Sequence, residues 1–77
     1  NRALIQQRAG EILETITRPM TLDQITGAVC ARYQLFTKKP SRALRFQRNI
    51  RLFLDFLMDE GLVALRPSKG VIWYSRV

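Results

Sequence analysis

The longest regular pattern in the chain runs from Ser41 to Gly61, SRALRFQRNIRLFLDFLMDEG. At a helical period it places Phe46, Ile50, Phe53 and Leu57 in one stripe, with Ala43 and Leu54 at its edge. Leu44, Gln47, Arg48, Arg51 and Asp55 fall on the other side, with Arg45 at the boundary. An earlier amphipathic pattern covers Arg2 to Thr17, where Leu4, Ile5, Ile12, Leu13 and Ile16 repeat at helical spacing and Gln6, Gln7, Arg8, Glu11 and Glu14 take the other faces. Gly10 weakens that helix or permits a close crossing. Thr17, Arg18 and Pro19 are expected to stop it, because the residue before a proline avoids helical angles.

Between these two patterns lies a third. Thr21-Leu22-Asp23-Gln24 matches a capping box, which opens a helix from about Leu22 to Tyr33 that buries Leu22, Ile25, Ala28 and Val29. Met20 and Thr21 before it read as a very short strand or an extended linker. Gln34 to Pro40 breaks the periodicity; Leu35 and Phe36 are expected to tuck its base into the core, and Ser41 to cap the next helix, with Thr37 as an earlier capping candidate. Gly61 is placed for a left-handed helix end. After it come two β-rich runs, Leu62 to Arg66 and Val71 to Ser75, separated by a Pro67-Ser68-Lys69-Gly70 turn. Trp73 and Tyr74 point to opposite faces of such a hairpin, one toward the core and one toward solvent. The expected architecture is mainly α with a small β-hairpin, an α+β domain of three helices followed by a two-stranded hairpin.

Length keeps this to one domain. A chain of 77 residues buries only about 60% of its unfolded surface. Starting at Asn1, it reads as a domain cut from a longer protein. The single cysteine, Cys30, excludes an internal disulfide and reads as a small core residue; with no histidine, no metal site or cofactor is expected. No apolar run approaches the ~20 residues of a membrane span, and a cytoplasmic setting, nucleoid-associated in a bacterium, is expected.

Charge changes the picture most. The formal net charge is +7, and no acidic residue lies from Gln24 to Leu54, where Arg32, Lys38, Lys39, Arg42, Arg45, Arg48 and Arg51 all stand. Within the Ser41 to Gly61 helix, arginines fill the first half and Asp55, Asp59 and Glu60 the second, the reverse of what the helix dipole favours. A polyanion partner accounts for both features. Gln and Asn among the arginines, and the lack of a Trp-anchored apolar face, favour nucleic acid over an acidic membrane. Catalysis has no support, for there is no glycine-rich phosphate loop and no nucleophile with a matched base, and no small-molecule site is evident.

The run Leu57-Met58-Asp59-Glu60-Gly61-Leu62-Val63, the Arg66 to Gly70 turn and Trp73-Tyr74 together resemble the exit from the recognition helix of winged helix-turn-helix regulators. Thr21-Leu22-Asp23-Gln24-Ile25 is similar to the start of that family's second helix. The resemblance implies that the helix over residues 41–60 enters a DNA major groove and that a wing over 66–70 touches backbone or minor groove. Carried onto this chain, Ser41, Arg45, Gln47, Arg48 and Arg51 are the groove candidates, and Arg66, Ser68 and Lys69 form the wing. Lys38, Lys39 and Arg42 suit phosphate contacts, while exposed arginines and Gln47 can make two hydrogen bonds to guanine or adenine. The expected role is sequence-specific double-stranded DNA binding, in transcription regulation or in a replication, partition or recombination protein. The alternative is a winged helix for protein contact, its basic face against an acidic partner. A homodimer or further domains of the same chain are expected to add specificity, with the first helix the leading contact and Leu52 with Phe56 the second.

Overall fold

The computed structural model describes residues 2–77. Three helices, α1 (Arg2–Thr15), α2 (Leu22–Tyr33) and α3 (Pro40–Asp59), precede an antiparallel hairpin of β1 (Val63–Ser68) and β2 (Val71–Arg76). This is the expected mixed order of three helices and a two-stranded hairpin. One core holds it together, built from Ala9, Ile12, Ile16, Met20, Ile25, Val29, Ile50, Leu54, Leu57, Val63 and Tyr74.

The helix ends follow from local chemistry. The capping box at α2 forms as expected: the Gln24 N–H donates to Thr21 Oγ1, and the Thr21 N–H donates to Gln24 Oε1. Both α2 and α3 close with the same pair of hydrogen bonds. In α3 the N–H groups of Gly61 and Leu62 donate to Met58 and Leu57; in α2 those of Gln34 and Leu35 donate to Ala31 and Cys30. The motif needs a left-handed residue, which Gly61 supplies at φ 75° without a side-chain penalty and Gln34 supplies at φ 56° with one. Helix α1 stops at Thr15, two residues before the expected Thr17. There the Ile16 N–H turns back to the Leu13 carbonyl, and Arg76 reaches across from β2 to donate to the carbonyls of Leu13 (2.8 Å) and Ile16 (3.0 Å). A cation on those carbonyls adds hydrogen bonds at the helix end and suits its dipole.

The hairpin turn is tighter than expected. Pairing continues through Ser68 and Val71, leaving a two-residue turn of Lys69 and Gly70, both at positive φ, which matches the right-handed twist of the strands. Pro67 therefore lies within β1. Counting back from the turn, Pro67 and Leu65 occupy the positions whose N–H would face away from β2, so the proline costs no ladder bond. The same alternation turns Tyr74's backbone outward from β1, where it exchanges hydrogen bonds with Met20 at 2.9 and 2.7 Å. Met20 thus makes the short extended pairing expected for it. Tyr74 is buried and Trp73, on the opposite face, is half-buried.

Four packing expectations need correction. Leu54, placed at the edge of the α3 stripe, is fully buried at its centre, while Phe46 and Phe53 are only half-buried. Helix α3 packs against α1, α2 and β1, and Leu54 is its most deeply buried side chain. Leu4 and Ile5 are exposed, and Ala9 takes the core position that the α1 pattern hid. Gly10 mediates no close crossing, since a methyl group there would meet nothing within 4 Å. Leu35 and Phe36 do not tuck inward; Phe36 is 76% exposed.

Candidate nucleic-acid interface

Helix α3 starts one residue earlier than its expected cap. Lys39 is the N-cap residue, in extended geometry and without a side-chain cap, and Pro40 takes the first turn, where its missing N–H costs nothing. Ser41 is therefore inside the helix rather than capping it. Thr37 serves the approach instead, its Oγ1 accepting from the Lys39 N–H at 3.1 Å. The result is that Lys38, Lys39, Ser41 and Arg42 are all exposed at the positive end of a 20-residue helix. Cations there oppose the dipole by about 0.3–1 kcal/mol each at low salt.

Arg45, Arg48 and Arg51 continue the series outward, all exposed. At ~100° per residue, each arginine is rotated about 60° from the next, so the set winds around half of the helix. Arg48 lies at the centre with Arg45 and Arg51 to either side; Arg42 and Arg51 point in opposite directions. Leu44, 66% exposed, stands between Arg48 and Arg51. No ion pair holds any of these four arginines among the described residues. Arg32 differs, although it belongs to the same basic stretch of sequence. It bonds Glu14 (3.0 Å) and the Glu11 carbonyl (3.2 Å) and lies over the Tyr33 ring, so it ties α2 to α1. Beside it, partial desolvation and a hydrogen bond with Glu11 hold the Tyr33 phenol above its ordinary pKa.

Gln47 is not displayed with the arginines. It is half-buried, and its Nε2 donates to Asp23 of α2, which engages the amide expected to read adenine. The sequence pattern assigns Asp23 to the α2 dipole only; its exposed position in the first turn of a capped helix is the available signal for this second role.

Arg66, Ser68 and Lys69 are exposed on the hairpin. Lys69 occupies the turn itself, about 20 Å along the strand from the buried root at Val63. Arg66 sits directly across from Trp73 on the face opposite Tyr74.

No family model, curated protein or solved structure matches this chain. No group of His, Cys, Asp and Glu able to hold a metal occurs among the described residues, and no helix there is long and apolar enough to cross a membrane. The hydrophobic pattern gives no sign of one further feature. An apolar groove of about 560 Å³ opens between α1, the end of α2 and α3, lined by Leu4, Ile5, Tyr33, Leu35, Phe46 and Phe53 among others. Its residues lie in three separate segments, and only packing brings them together.

Proposed function

We propose that this domain is a winged helix that binds double-stranded DNA in a sequence-specific way, with α3 in the major groove and the hairpin as a wing. The observation that carries the reading is the run of four exposed arginines on α3 with no ion-pair partner among the described residues. The fold order and the Met20–Tyr74 pairing, which adds a third short strand position beside β2, are compatible with that layout. Arg45, Arg48 and Arg51 are the base or groove contacts of this reading; Ser41 supports them, and Lys38, Lys39 and Arg42 take phosphates. Arg66, Ser68 and Lys69 contact the backbone beside the groove. A role in transcription regulation or in a replication module follows from such binding. Gln47 contributes only when Asp23 releases it.

The test is a duplex titration across a salt series, with heparin as a flexible polyanion for comparison. Affinity should fall log-linearly with salt, with a slope set by the phosphates neutralised. Duplex should outcompete heparin, and Arg48→Ala/Arg51→Ala should weaken binding by about 1–3 kcal/mol for each base that is no longer read. No duplex binding at low salt, or a double variant equal to the parent, defeats the reading. The exposed basic face of α3 favours a second one in that event, a module for an acidic protein partner.

A further inference from the structure

The reversed charge order of α3 has a second consequence that does not depend on nucleic acid. Along one edge of this helix, Arg45, Asn49, Leu52, Phe56 and Asp59 follow alternating steps of four and three residues, the spacing of a coiled-coil seam. Arg45, Asn49, Leu52 and Asp59 are exposed, Leu52 at 62%, and Phe56 is half-buried. Neither Arg45 nor Asp59 has an ion-pair partner among the described residues. Below Leu52, a depression of about 490 Å³ is lined by Ile5, Asn49, Leu52, Phe53 and Phe56, so the seam includes an apolar hole as well as knobs.

A two-fold axis through Leu52 exchanges positions equally spaced on either side of it. Arg45 and Asp59 each lie seven residues from Leu52, about 10 Å along the axis. In an antiparallel pair, Arg45 of one copy therefore meets Asp59 of the other, twice by symmetry. Leu52 meets its own counterpart, and Asn49 packs against Phe56 of the other copy. The basic half of each helix lies along the acidic half of the other. An arrangement that is unfavourable within one helix becomes complementary between two.

We infer that the Arg45–Leu52–Asp59 edge of α3 is a self-association surface whose occupant is a second copy of this chain, packed antiparallel about Leu52. An isologous contact of this kind requires self-complementarity of a single patch, and this edge has it in both charge and shape. The edge shares Arg45 with the candidate groove contacts; Arg48, about 40° around α3 from Leu52, flanks it, and Arg51, about 100° from Leu52, stays outside the contact.

Sedimentation equilibrium over a protein-concentration series, without nucleic acid, tests this. The parent chain should show a monomer–dimer equilibrium. Arg45→Glu and Asp59→Arg should each weaken it by at least about tenfold, because each sets like charges opposite one another at both ends. The double variant Arg45→Glu/Asp59→Arg should restore it. Both residues are exposed, so each variant should keep the parent's circular dichroism spectrum. A chain that stays monomeric throughout, a dimer indifferent to the single reversals, or a double variant as weak as the singles overturns the inference. Because DNA is absent, its failure is distinct from failure of duplex binding.

Discussion

The two halves of α3 are built for different purposes. From Ile50 onward the helix is anchored: Ile50, Leu54 and Leu57 are buried, and the last turn is closed by a glycine cap with two hydrogen bonds. Before Ile50 no residue of α3 is buried, the N-cap makes no side-chain bond, and arginines sit where the dipole disfavours them. One half commits its residues to packing, while the other gives up local stability to display charge. Such a division fits a rigid anchor that presents a basic surface, because a side chain held by a fixed helix loses less freedom on binding.

Substitutions in each half should separate the two roles. Leu54→Ala opens a cavity in the core, and should cost about 2–5 kcal/mol of unfolding free energy in a denaturant titration. Arg48→Ala/Arg51→Ala should leave that stability within about 0.5 kcal/mol while weakening duplex binding. A comparable loss of stability in the arginine pair would mean that the basic half is structural after all. Gly61→Ala keeps the helix but forces a side chain into the left-handed region, and should cost roughly 1–2 kcal/mol in the same titration. The opposite sign is expected at the other end. Lys39→Asp supplies the missing N-cap in a residue already extended, which should raise stability by about 1 kcal/mol and the melting temperature with it. It should also weaken duplex binding and flatten the salt dependence, since a cation is removed from the interface. A variant more stable and equally tight would remove Lys39 from that surface.

The order of elements, the capping box at Thr21, a turn ending at Gly70 and the stop at Gly61 are all legible in the chain, because each depends on residues close to one another in sequence. The exposed arginines of α3 are legible for the same reason, because an exposed helix face is a local property, whereas Gln47 is not. Packing partners are not. Periodicity shows that Leu4 and Ile5 lie on an apolar side of α1, but not that their turn lacks a neighbour; they line a groove instead of a core. It also cannot weigh Leu54 above Phe46, since both belong to the apolar side and only tertiary packing chooses between them.

Charge divides in the same way. Composition alone sets thirteen basic residues against six acidic ones and concentrates the imbalance between Gln24 and Leu54. Folding selects which of those cations are free. Arg32 and Arg76 are drawn to helix carbonyls more than twenty residues away, and Gln47 is held by Asp23, whereas Arg42, Arg45, Arg48 and Arg51 meet no acid among the described residues. Hydrogen-bond partners that distant are brought within reach only by chain folding, so no local pattern can assign them.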